Sequence, residues 1–223
     1  MGVIFDTQLV KIYIPERRLT KAKAMALELL SDVTIHRKVK VRKLASFVGK
    51  VISMNIVLDS FSQIMTRYLS MDILKAQSWE SCVIVSSEGL GQLHFWKHNL
   101  EFGIGMKFFE SLKFSKVVYS DASNTGYAGY EVKTLNGVAH GMWSEEEKIM
   151  SSTATELLAL FWVLQSLSSY LAKSVKWFTD NKRVESVVKK GSMKGELQDI
   201  AINILKFCLS FNKIRYRMDS QVR

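Results

Sequence analysis

Three short acidic stretches, in fixed order and each on its own kind of element, constrain this chain more than any other feature. They are Tyr119-Ser120-Asp121-Ala122-Ser123, Thr155-Glu156-Leu157-Leu158-Ala159 and Phe178-Thr179-Asp180-Asn181. The first and third follow runs that read as β-strands, and the second sits inside a run that reads as a helix. A sheet with a helix laid over it can bring the three carboxylates to one spot. Carboxylates so gathered repel one another unless a divalent cation neutralises them, so the pattern predicts a site for Mg2+ or Mn2+. Taken singly, Asp121 could be only a turn residue and Asp180 only a helix N-cap. Glu156 resists such a reading, because an unpaired carboxylate buried in an apolar stretch costs several kcal/mol.

Charge points to the partner. The chain carries 31 Lys+Arg against 21 Asp+Glu, a formal net charge of +10, which favours a polyanion such as nucleic acid. Its 223 residues, 48% of them hydrophobic, suffice for one large domain or two small ones. Cys82 and Cys208 lack metal-ligand spacing and read as buried free thiols of a reducing compartment, the cytoplasm or nucleus. His94 and His98 stand four apart, but no acidic or thiol ligand is near them in sequence. The N-terminus has no signal-peptide pattern, and Asp6 stands where a myristoylation signal wants Ser or Thr. The most apolar stretch, Leu157 to Leu171, is too short and too polar for a membrane span. No glycine-rich phosphate loop is visible, which argues against a nucleotide cofactor and an ATPase.

The chain changes character near Leu112: mostly helical before, strand-bearing after. Two short strands are expected within Val3 to Ile14. A helix capped by Thr20 is expected through Leu30, with Ala24, Leu27 and Leu30 on one face. The next helix has Val41, Leu44, Ala45, Val48 and Val51 at helical spacing. Its other face carries Arg42, Lys43 and Lys50, which can lie along a phosphate backbone or simply face solvent. Further helices are expected over Phe61 to Leu74 and, capped by Ser86 or Ser87, to His98. The second part predicts strands over Lys116 to Ser120, Tyr127 to Lys133, Val138 to Trp143, Lys173 to Thr179 and Lys213 to Arg217. Asp121 to Gly126 reads as a turn, and Asn136-Gly137 as a hairpin. A long helix is expected from Ser152 to Leu171, and two more over Arg183 to Lys189 and Glu196 to Phe211. Three antiparallel strands followed by strand–helix alternation predict a mixed five-stranded sheet flanked by helices, an α/β fold.

Val117-Val118-Tyr119-Ser120-Asp121-Ala122-Ser123, with Gly126 and Gly129 behind it, resembles the first strand of type 1 ribonuclease H domains. Thr155 to Leu160 resembles that family's glutamate helix, and Phe178-Thr179-Asp180-Asn181 its fourth-strand aspartate motif. Arg42 to Lys50 is similar to the helix after the palm in retrotransposon reverse transcriptases, as is Ile12-Tyr13-Ile14-Pro15 with the Lys-rich helix behind it. Phe95 to Leu100 resembles the connector before ribonuclease H. Taken together, the chain resembles polyproteins of DIRS-like retroelements. The likeness implies a thumb and connection region over 1–112 and a ribonuclease H-like domain, truncated at its C-terminus, over 113–223.

The resemblance implies two-metal hydrolysis of the RNA strand in an RNA–DNA hybrid, with Asp121, Glu156 and Asp180 as metal-holding catalytic residues. It implies a 2′-hydroxyl contact for Ser152, contacts to substrate or to the carboxylates for Asn124 and Asn181, and phosphate contacts for Lys182 and Arg183. The palm's paired-aspartate motif is absent, so no polymerase activity is expected. The family's fourth carboxylate has no match near Asp219, so cleavage is expected to be weak or absent. The alternative is a non-catalytic nucleic-acid-binding remnant. An integrase-like core fits less well, because its glutamate usually comes last of the three.

Overall fold

The computed structural model describes residues 2–100, 106–107, 116–132, 137–169, 174–210 and 215–220. The chain divides into two compact units, Met1–Glu110 and Ser111–Arg223.

In the first unit, β1 (Ile4–Asp6) and β2 (Lys11–Tyr13) form a hairpin. Its turn is closed by Asp6 Oδ1, which accepts the amides of Gln8 and Leu9. Helix α1 spans Glu16–His36 and starts four residues before the expected Thr20 cap. Pro15 stands at the N-cap with φ −55, and Glu16 adds a favourable charge to the first turn. The buried stripe is Ala22, Ala26 and Leu29, whereas Leu27 is 44% exposed. The expected face of Ala24, Leu27 and Leu30 is therefore corrected by a rotation.

Strand β3 (Val39–Lys40) leads into α2 (Val41–Ile52), which buries Val41, Leu44, Phe47, Val48 and Val51. Short helices α3 (Asn55–Leu58) and α4 (Ser60–Ile64) precede α5 (Arg67–Leu74). Strand β4 (Cys82–Val83) pairs with β3, and α6 runs over Ser87–Asn99. Strand β5 (Met106–Lys107) pairs with β2.

The single helix expected over Phe61 to Leu74 is thus broken at Met65 and Thr66, and α6 supplies the reason. Gln92, buried on α6, accepts the Tyr68 and Leu69 amides and donates to the Ile64 carbonyl. One turn later the Trp96 indole donates to the Met65 carbonyl at 2.7 Å. These side chains satisfy the backbone groups that the break exposes. Trp96 is buried in the core. Ser86 caps α6, and the buried Asp72 accepts both the Ser86 amide and its hydroxyl.

In the second unit, β6 (Lys116–Ala122), β7 (Gly126–Glu131) and β8 (Val138–Met142) form an antiparallel meander. The short α7 (Glu145–Lys148) begins with a capping box between Ser144 and Glu147. Helix α8 (Ser152–Ser166) then leads to β9 (Ser174–Thr179), which pairs parallel to β6. Helices α9 (Lys182–Lys190) and α10 (Gly195–Ser210) precede β10 (Arg215–Ser220), parallel to β9. The sheet order β10-β9-β6-β7-β8 is the mixed five-stranded, ribonuclease H-like arrangement expected from the sequence. Leu157, Leu160 and Val163 of α8, with Ile200 and Ile204 of α10, form a core with Val118, Val175 and Trp177 of the sheet.

Asp121 and Ala122 belong to β6, paired with Ala128 and Tyr127, so the expected turn at Asp121 is corrected. The reversal is 123–125, where the Ser123 hydroxyl accepts the Thr125 and Gly126 amides. The helix expected to reach Leu171 ends at Ser166, and 167–169 form a turn, so that expectation is corrected. Asn136 of the expected Asn136-Gly137 hairpin lies outside the described residues. Cys208 is buried, and burial pushes its thiol up to about 12; Cys82 is exposed, against the expectation of two buried thiols. Among the described residues, no helix is long and apolar enough to cross a membrane.

Candidate metal centre

Each acidic stretch delivers its carboxylate for a local reason. Alternation along β6 and pairing with β7 carry Asp121 to the end of the central strand. Thr179, the last residue of β9, is buried, and its hydroxyl accepts the Asn181 amide. The Asn181 side chain in turn caps α9 by accepting the Arg183 and Val184 amides. The chain therefore turns out of the sheet at Asp180, and the N-cap is Asn181 rather than Asp180. Glu156 lies on the second turn of α8, which crosses β6 and β7.

Asp121, Glu156 and Asp180 converge: one ligand oxygen from each lies within 4.8 Å of the others. Asp121 and Asp180 are exposed and Glu156 is half-buried. Burial, followed by the charges of Asp121 and Asp180, pushes the Glu156 carboxyl from its ordinary 4.5 to about 7, against an opposing backbone hydrogen bond from Ala122. Three hard oxygen donors with mutual repulsion suit a Mg2+ or Mn2+ ion, which would relieve that repulsion. The donor set fits the expected metal.

The raised Glu156 value has a consequence for stability. Between pH 4.5 and about 7 the folded chain holds a proton that the unfolded chain has lost, so this group's contribution falls as pH rises through that window. Thermal melts of the metal-free protein should show that fall, and Glu156→Gln should remove it. Mg2+ or Mn2+ should raise the midpoint more at pH 8 than at pH 5.5, where protons compete for Glu156. Equal gains at both pH values would contradict the assignment.

The other sequence-predicted residues divide by location. Ser152 opens α8, exposed, one turn before Glu156. Asn124 is exposed in the 123–125 turn, and Lys182 and Arg183 are exposed in the first turn of α9. Asn181 is committed as a cap through its side-chain oxygen. Arg42, Lys43 and Lys50 lie in the first unit. Arg42 pairs with Glu80, and Lys43 with Glu28 at 2.7 Å and Asp32. Burial alone would lower the Lys43 ammonium, but hydrogen bonds and charges from Asp32 and Glu28 raise it. Two of the three cations on that face thus pair with the protein's own carboxylates, which a phosphate backbone would have to displace.

Sequence reasoning missed the groups that support the carboxylates. The Trp143 indole donates to the Ser123 carbonyl at 2.8 Å and pins the turn after Asp121. Gly129 lies under α8, where a Cβ would stand 2.6 Å from Val163. A glycine inside a strand run does signal close approach, so this one was findable; the tryptophan bond left no mark in the sequence.

No protein-family model matches the chain, and no curated protein does. Among solved structures, it aligns with the foamy viral protease–reverse transcriptase bound to double-stranded DNA, at 16% identity and a TM-score of 0.36 over 95% of this chain. It also aligns with that enzyme in complex with an RNA/DNA hybrid, at 14% identity and a TM-score of 0.33 over 99% of this chain. The chain spans 43% and 30% of the length of those two chains.

Proposed function

We propose that the second unit is a ribonuclease H-type hydrolase that cuts the RNA strand of RNA–DNA hybrids and derives from a DIRS-like retroelement polyprotein. In this reading residues 1–112 correspond to a thumb and connection and residues 113–223 to the nuclease domain. The observation that carries it is the convergence of Asp121, Glu156 and Asp180 at the ends of two adjacent parallel strands and a crossing helix. Asp121, Glu156 and Asp180 would hold the divalent ions. When bound, such ions supply a nucleophile by lowering the pKa of water and stabilise the leaving oxygen. Lys182 and Arg183, exposed beside Asp180, would take phosphates of the duplex, and their affinity should fall steeply with salt. The Ser152 hydroxyl is offered to a 2′-hydroxyl, the group that separates RNA from DNA.

A second reading, a nucleic-acid-binding remnant that does not cut, is favoured by Lys182 and Arg183, which would hold phosphates whether or not the carboxylates retain a cation. End-labelled RNA–DNA hybrid, DNA duplex and single-stranded RNA, each with Mg2+, Mn2+ or EDTA, separate the two. Metal-dependent shortening of the RNA in the hybrid alone supports the nuclease. Hybrid binding without cleavage supports the remnant, and binding to none of the three overturns both.

A further inference from the structure

The ladder between β6 and β9 ends at the pair Tyr119–Phe178. Two residues farther along, Asp121 and Asp180 must stand close enough to share a cation although their charges push them apart. Backbone pairing between these two strands does not reach that far. A side-chain hydrogen bond crosses at this point instead: Trp177 Nε1 donates to Ser120 Oγ at 2.8 Å. In register Trp177 lies opposite Val118, so its indole leans one pleat along the strand, toward the carboxylates, to reach Ser120. Trp177 is 2% exposed and fixed by packing, which makes it a rigid anchor. Ser120 directly precedes Asp121, and Trp177 stands three residues before Asp180.

We propose that Trp177 and Ser120 are positioning residues, whose hydrogen bond sets the separation of the Asp121 and Asp180 carboxylates. This rests on reading the acidic cluster as a cation site. Neither residue belongs to the ligand set; Ser120 acts through Asp121, next on β6, and Trp177 through Asp180, just past the end of β9. Hydrogen bonds made to a ligand itself typically carry about 10–100-fold of metal affinity, and this bond, one step further out, belongs at the lower end of that range.

The test is Mn2+ affinity without substrate, followed by electron paramagnetic resonance, for the full chain and its variants. Trp177→Phe keeps the aromatic bulk and deletes the donor, and Ser120→Ala deletes the acceptor. Each should weaken Mn2+ binding about tenfold. The double variant should be no weaker than either single one, because the two share one bond. Trp162→Phe is the control: it deletes an indole bond to Glu147 and should leave Mn2+ affinity unchanged. Wild-type affinity in Trp177→Phe and Ser120→Ala, with loss in Asp121→Asn, would overturn the positioning role alone. So would an equal loss in Trp162→Phe. Unchanged affinity in Asp121→Asn would instead overturn the cation site itself.

Discussion

Asp121→Asn is expected to lower metal-dependent hybrid cleavage by at least about 100-fold while leaving the fold as stable as before or slightly more so. The lower bound follows from ligand support: altering groups that merely hold a metal ligand already costs about 10–100-fold, and here a ligand charge itself is removed. Stability behaves oppositely because the Asp121 charge is one cause of the raised Glu156 value, so its removal eases a repulsion. Asparagine also keeps the side-chain oxygen that accepts the Ala122 amide at 2.9 Å. Loss of cleavage with an undiminished melting temperature therefore identifies a functional carboxylate. Loss of both would indicate a structural aspartate, and retained cleavage would contradict the nuclease assignment.

Gly129→Ala is expected to damage fold and site together. A Cβ there would lie 2.6 Å from a Val163 methyl and 2.7 Å from the Tyr119 carbonyl oxygen. Neither neighbour can swing aside: Val163 is fully buried and β-branched, and the other contact is backbone. Helix α8 must lift from the sheet, at about 1–3 kcal/mol, the usual cost of overpacking. Glu156 sits seven residues before Val163, on the same helical face, so the lift carries it away from Asp121 and Asp180. Thermal melts should show the loss, and Mn2+ titration should show weaker binding. Gly49→Ala is a useful contrast. A Cβ at Gly49 meets nothing within 4 Å, and alanine there, in the last turn of α2, should stabilise by up to about 1 kcal/mol. An unchanged melting temperature and Mn2+ affinity in Gly129→Ala would show that this contact does not set the height of α8.

The second unit was the more legible in sequence, because its strands and helices alternate with clear periods and each acidic stretch sat on the element type expected of it. Errors there came from pairing that only the partner strand reveals. Asp121 read as a turn residue because Ser, Asn and Gly follow it, yet β7 extends the ladder past it to Ala122. In the first unit the errors are tertiary. The break at Met65 and Thr66 is satisfied by Gln92 and Trp96, more than twenty residues away in sequence, and nothing local announces it. The ion pairs of Arg42 and Lys43 on α2 were equally hidden, because Glu28, Asp32 and Glu80 lie on other segments. Charge patterns show which side of a helix is polar; they do not show what already neutralises it.

Crystals soaked in Mn2+ and measured for anomalous scattering give the most direct test of the central claim, that three distant carboxylates share a cation. An anomalous peak bonded to oxygens of Asp121, Glu156 and Asp180 is the expected result. Carboxylates pointing to separate regions, or a clear map with no manganese among the three, would contradict it.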